Sequence, residues 1–197
     1  MSTLKTYNLQ HPSSAVINAT LESNGSITAA NIFNGNSGIT ITANSNVTIS
    51  SNGLSRAVFD ASGRLTLPYQ PAFSAYKDNG SAYGTIGTVA FNVVLTNRGN
   101  HYNSSTGIFT APIAGLYQFT FTGHTETVNT TARQINFQKN LADTIDLYLL
   151  PNSGRMVASK TIVISLAVND TMSMRLNAGD FWAGNTSGMM FTGLLLG

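Results

Sequence analysis

No cysteine occurs in the 197 residues, which excludes a disulfide framework, thiolate metal sites and a thiol nucleophile, and leaves stability to core burial and assembly. Charge is scarce as well. Charged residues make up 9% of the chain, against roughly a quarter in an average soluble protein, so Ser, Thr, Asn and Gly must solvate the surface, a composition that suits β-structure. The ten Lys and Arg are scattered without a run; a phosphate-tracking face needs them clustered, so nucleic acid is not expected as a partner. No apolar stretch approaches the roughly 18 residues of a membrane span, and membrane insertion is not expected. Residues 1–16 also lack the apolar core of an export signal.

Catalytic patterns are missing too. The three histidines, His11, His101 and His124, are far apart and form no His-x-x-x-His pair. His124 and Glu126 share a strand face by parity, but two groups do not fill a zinc site. No Gly-x-Ser-x-Gly elbow or phosphate-cradling glycine loop is present. Asp143 and Asp146 are the candidate paired carboxylates, and Asp170 or Asp180 the candidate calcium ligands. No acidic loop supplies the six to eight oxygens such an ion takes without heavy use of carbonyls and water. No enzyme activity and no cofactor are expected.

What the chain does contain is alternation punctuated by turns. Between residues 20 and 68, Ile39-x-Ile41, Val47-x-Ile49 and Leu65-x-Leu67 are separated by Asn24-Gly25, Asn34-Gly35, Asn52-Gly53 and Ser62-Gly63. Period-two alternation reads as half-buried strands, and Asn-Gly supplies the positive φ of tight hairpins. Each strand offers two or three apolar side chains, too few to close a core, so the segment reads as an intertwined β-stalk or β-prism with its edges paired between chains. A flexible Ser/Asn/Gly linker is the alternative. Residues 1–19 read as an anchor that orders on a larger assembly, or as a frayed terminus.

Residues 69–197 read as an all-β head of about ten strands: 72–76, 88–94, 107–111, 116–125, 133–139, 144–150, 157–168, 171–176, 180–183 and 190–196. Tyr117, Phe119 and Phe121 leave one face of one strand and must meet another sheet or subunit; Phe91 and Phe109 are the expected partners. Gly115 follows Ala111-Pro112-Ile113-Ala114, where a side chain or an ordinary φ would obstruct the corner into the sheet. Asn97, Gly99 and Asn103 fit a loop that reverses direction before Tyr102 pins it to the core. The segment Phe191–Leu196 is apolar on both faces, as a central strand is.

Phe91, Asn97, Tyr102, Phe109, Gly115, Tyr117, Phe119 and Phe121, with Arg175–Asp180 and Phe191–Leu196, together resemble the signature of the complement C1q-type globular head. That family is similar in fold to tumour necrosis factor, a ten-strand antiparallel jelly roll that works as a trimer. The resemblance implies a homotrimer whose last strand lies near the threefold axis, with Phe191 and Leu195 helping to hold three heads together. It also implies recognition rather than catalysis, with calcium an occasional guest. The opening residues, the strand-turn repeats and Gly63–Pro68 are similar to tailed-phage fibre proteins. The two resemblances imply a virion structural protein, made in the host cytoplasm: a trimeric fibre or spike attached through its N-terminus to other virion proteins and recognising carbohydrate or protein on the host surface. A capsid fibre or decoration protein and a secreted C1q-like binding module are the alternatives. Exposed loops at 77–83, 125–131 and 185–188 are the expected reading surface, with Tyr76 and Tyr83 stacking on sugar rings and Lys77 and Asn79 beside them.

Overall fold

The computed structural model describes residues 7–9, 19–21, 27–28, 31–42, 45–125, 131–150, 154–184 and 188–197; up to residue 31, and at Phe33, only the backbone is described. Most of the expected anchor, the Asn24-Gly25 turn, most of the 125–131 and 185–188 loops and residues 151–153 lie outside the described residues. The chain divides into two compact units, Met1–Tyr69 and Gln70–Gly197.

Among the described residues the first unit holds two antiparallel sheets. One is three-stranded: β1 (Tyr7–Leu9), β2 (Ala19–Leu21) and β3 (Ile27–Thr28). The other is a five-stranded meander of β4 (Asn31–Asn34), β5 (Ser37–Ile41), β6 (Val47–Ser51), β7 (Leu54–Phe59) and β8 (Leu65–Thr66). The sequence alternation predicts strands with edges shared between chains; the structure instead pairs each with its neighbour in sequence. The turns decide this. Gly35 takes φ 59°, while Asn52 and Gly53 take 53° and 72°, the double positive φ of a two-residue hairpin that returns the chain at once beside itself.

The second unit is a two-layer antiparallel sandwich. Its strands are β9 (Ala72–Tyr76), β10 (Ser81–Tyr83), β11 (Gly87–Thr88), β12 (Val93–Arg98), β13 (Tyr102–Asn103), β14 (Ile108–Thr110) and β15 (Gly115–His124), followed by β16 (Arg133–Lys139), β17 (Ala142–Leu149), β18 (Val157–Leu166), β19 (Thr171–Ala178), β20 (Phe181–Ala183) and β21 (Met190–Leu195). The front sheet runs β12-β9-β21-β15-β18; the back sheet runs β13-β14-β19-β16-β17, with β11 added on β19, and β10 pairs with β20 alone.

One expected strand is divided. The alternating run 88–94 is not one strand: β11 belongs to the back sheet and β12 to the front, and the chain crosses the core between them. Val89 and Phe91 are both fully buried in that crossing, which is why it carries a strand-like pattern. Asn97 lies within β12 rather than in the loop after it, and the 77–83 loop contains β10.

Aromatic rings fill the space between the sheets. Phe191 on the central strand β21 lies 5.0 Å from Phe73, 5.6 Å from Phe91, 5.9 Å from Phe119 and 6.3 Å from Phe137 between ring centroids. Phe109 packs edge-on against Tyr117 and Phe119. Phe121 turns to Phe181 instead, and Phe91 meets Phe191 rather than the β15 row. Such tilted pairs are worth roughly 0.5–1.5 kcal/mol each beyond area burial. Close approach imposes several glycines, Gly193 and Gly115 among them. A Cβ on Gly193 would lie 2.5 Å from the Phe73 ring and 2.6 Å from that of Phe119, and one on Gly115 would lie 2.8 Å from Leu195 Cδ1 and 2.9 Å from the Gly197 carbonyl oxygen. At Gly115 crowding, not a special φ, excludes a side chain.

Candidate functional site

The loop between β12 and β13 is built by Asn97 and Tyr102. The Asn97 amide donates to the Tyr102 carbonyl at 2.8 Å and its Oδ1 accepts the Tyr102 N–H at 3.1 Å, closing a ring that mimics a backbone turn. Asn100 sits at φ 63°, a left-handed conformation that asparagine tolerates better than most residues. The Tyr102 hydroxyl reaches into the core, accepting the Phe91 N–H at 3.1 Å and donating to the Phe91 carbonyl at 3.2 Å. The next turn is held by Asn103, whose Oδ1 accepts the N–H of Ser105 at 2.9 Å and of Thr106 at 3.3 Å. Across from it the Asn169 N–H donates to the Ala111 carbonyl at 2.8 Å.

These pinned loops enclose a groove of about 640 Å³, with Asn100, His101, Thr110, Pro112, Asn169 and Thr171 among its walls. Its walls offer amides, hydroxyls and an imidazole between small apolar surfaces, and no formal charge. Burial pushes the His101 pKa down, so the ring is neutral at neutral pH and offers one donor and one acceptor. A smaller depression of about 440 Å³ shares Asn100 and Asn103 with it and is bounded by Val94, Asn97, Tyr102 and Ser104. Sequence reasoning absorbed Asn97 and Tyr102 as scaffold and set His101 aside as a lone histidine. The available signal was the density of amides and hydroxyls from Asn97 to Thr106.

The residues expected to touch a receptor are dispersed. Tyr76 is on the outer face of the front sheet, opposite Met190. Lys77 Nζ stands 5.0 Å from the centroid of the Tyr83 ring, so these two engage each other. The Asn79 amide nitrogen, in the orientation its neighbours require, donates to the carbonyls of Ser81 and Ala183 at 2.7 Å each, tying its own loop to β20. Trp182, the only tryptophan in the chain, pairs with Ala82 on the partly exposed side of β20.

The carboxylates proposed for calcium already have partners. Asp180 Oδ1 is 2.7 Å from the buried Arg133 guanidinium, and Asp170 Oδ2 is 2.8 Å from Lys139 Nζ. Asp143, of the candidate carboxylate pair, accepts from Gln138 at 2.8 Å and Asn177 at 3.0 Å. Among the described residues no three acidic or imidazole side chains converge on one point. This donor set does not fit an ion that takes six to eight oxygens.

Phe191 and Leu195, expected to join three heads, point into the sandwich of their own chain at 0% and 8% exposure. The outer face of the same sheet is different. Val163, Gln118, Leu194 and Ala72 form one cross-strand row; Thr161, Thr120, Thr192 and Ser74 form the next, and Ser159, Thr122, Met190 and Tyr76 the third. None is charged. Val163 is 54% exposed and Leu194 36%, with Leu116 and Leu196 exposed beside them.

Comparison with known proteins accounts for this sandwich. The C1q domain matches over residues 72–196. The chain is 34% identical over 115 residues to human complement C1q and tumor necrosis factor-related protein 9B, covering 55% of this chain and 33% of that protein. It is 35% identical over 115 residues to mouse complement C1q and tumor necrosis factor-related protein 9, again covering 55% and 33% respectively. The chain thus spans about a third of the length of these two relatives. The solved globular domain of zebrafish complement 1qA superposes with a TM-score of 0.53 at 23% identity, over 65% of this chain and 98% of that one. On these grounds the chain belongs to the C1q-domain family, and its second unit is a non-enzymatic C1q-type binding module with that family's jelly-roll fold.

Proposed function

We propose that the protein is a homotrimeric recognition protein whose C1q-type heads bind an uncharged, hydroxyl-rich ligand, a carbohydrate, in the groove between Asn100 and Asn169. The observation that carries this is the groove itself: a concavity within the usual range of roughly 300–1,000 Å³ for small-ligand sites, walled by pinned amides, hydroxyls and a neutral imidazole. Charged ligands gain nothing there. Sugar hydroxyls find both donors and acceptors. Because Lys77, Tyr83 and Asn79 are engaged with one another or with backbone, the groove is a better receptor contact than the 77–83 loop.

Assembly is supported by the outer face of the front sheet, whose rows across β18, β15, β21 and β9 carry no charge, and by the C1q and tumour necrosis factor family, which is typically homotrimeric. Three weak grooves joined in this way gain avidity without new contacts. The expected result is a trimer in sedimentation that Leu194→Asp with Val163→Asp dissociates, and glycan-array binding that Asn100→Ala with Thr110→Val abolishes while leaving the fold intact. Binding that survives the groove substitutions would refute the site, and a monomer at micromolar concentration the assembly.

A second reading places the same trimer on a tailed-phage particle, as a tail or capsid fibre held through its N-terminal segment. The strand-and-turn unit preceding the head favours it, whereas the similarity to complement C1q-related proteins favours a free binding module. Gold-labelled antibody on purified particles distinguishes them: label on tails or capsids supports the fibre, and unlabelled particles reject it.

A further inference from the structure

The five-stranded meander of the first unit is a single layer with two unlike faces. Directly opposed residues of an antiparallel ladder share a face, so the register assigns sides. Ile32, Ile39, Ile49 and Ala57 form one row, and Ile41, Val47, Phe59 and Leu65 the next. All eight are apolar. The opposite face carries Thr40, Thr48, Val58 and Thr66 in one row and Gly38, Ser50 and Ser55 in another. Ile32 is 62% exposed, Leu65 51%, Ile41 48%, Phe59 41% and Ile49 40%.

A soluble monomer rarely leaves a contiguous apolar patch larger than a few hundred Å² uncovered, and eight neighbouring side chains of this size reach that limit. A lone sheet with one wet apolar face also lacks the second layer that gives independent stability. Something must cover it. We propose that this face is an interface between copies of the same chain, in which the sheets of associated chains enclose a shared apolar interior formed by Ile39, Ile41, Val47, Ile49 and Phe59.

A second copy suits this face better than a foreign partner for two reasons. The face has no charge with which to select an unlike surface; the only charged side chain in these five strands, Arg56, stacks 4.8 Å from the centroid of the Tyr69 ring. The second reason rests on the trimer put forward above. Only Leu67–Tyr69 separate the end of β8 from the first residue of the head unit. Chains joined by their heads therefore hold their sheets at an effective concentration on the order of millimolar, which a free partner at micromolar levels does not match.

The absence of native cysteine makes the test clean. In the full chain, Ile49→Cys treated with a short bismaleimide is expected to convert most of the protein to covalent dimers on a denaturing gel, whereas Thr48→Cys, one residue along and on the opposite face, stays monomeric. Sedimentation of the same samples separates the two ideas. If the protein is trimeric and the two cysteines cross-link equally or not at all, this interface is wrong and the head assembly stands. If Leu194→Asp with Val163→Asp gives a smaller species that still cross-links only through Cys at 49, the interface stands without the heads. A monomer that does not cross-link overturns both. Ile39→Asp with Ile49→Asp serves as the second measurement: trimeric heads with faster proteolytic cleavage in residues 31–66 are expected, and an unchanged cleavage rate refutes the covering.

Discussion

Replacing Tyr102 by Phe tests how the β12–β13 loop is attached to the core. The substitution removes one oxygen and leaves the ring, stacked 4.5 Å from Phe73, in place. What is lost is a pair of hydrogen bonds to the backbone of Phe91, at 3.1 and 3.2 Å, in a residue that is fully buried. Leaving a buried N–H or carbonyl without a partner costs about 1–3 kcal/mol, more than the net worth of an ordinary hydrogen bond. An overall loss of about 2 kcal/mol is expected, which for a domain of this size lowers Tm by very roughly 6–10 °C. Urea unfolding at fixed protein concentration reads it as a lower midpoint with unchanged slope. The hydroxyl has a second signature. Burial raises its pKa well above the ordinary value of 10, so the folded state favours the protonated form. Its contribution is fully present below about pH 10 and is lost as the pH climbs from there toward the folded value. Tyr102→Phe should therefore also flatten the alkaline decline. A loss under about 0.5 kcal/mol with an unaltered alkaline limb would refute the reasoning, because it would mean the Phe91 groups find other partners.

Gly193→Ala should destabilise the head by about 1–3 kcal/mol through overpacking, since the added methyl meets the Phe73 and Phe119 rings at 2.5 and 2.6 Å; a midpoint equal to the parent's in urea would show that these rings move aside freely. Asp170 is held down to about 2 by the Asn140 amide first, then by Lys139 and the Ala167 N–H. Its depressed pKa means that its contribution is present above about pH 4 and is lost as the pH falls through about 2. Asp170→Asn should lower stability at neutral pH and remove that part of the acid decline, and parallel acid-denaturation curves for parent and variant would contradict this.

The aromatic spacing was legible because sandwich burial imposes period-two alternation on β15, and the glycine of its corner because only some residues fit there; in β21 the run 191–196 is apolar on both sides, and only the fold shows which side is buried. Tyr117, Phe119 and Phe121 announce a buried row whatever they pack against. The strand boundaries between residues 85 and 98 were not legible. Val89 and Phe91 alternate as strand residues do, yet the chain there passes from one sheet to the other, and the inward alternation is the same in both cases. The groove was hidden for a related reason. Asn100, His101, Thr110 and Asn169 are far apart in sequence or unremarkable within a polar loop, and they meet only because the Ala111 and Asn169 backbones are joined.

Sequence alone settled the all-β class, the lack of any thiol chemistry and the aromatic row of Tyr117, Phe119 and Phe121, because these follow from which side chains can leave water; Phe73, Phe137 and Phe181 entered the core only through the tertiary structure. Tertiary structure decided which side of each strand meets the core. That is why Phe191 and Leu195 lie inside their own sandwich while Leu194 and Leu196 face outward, and why the apolar side chains of β4 to β8 share a single uncovered face. Side-chain parity is a property of one strand, but its sense is set by the neighbour to which that strand is hydrogen-bonded.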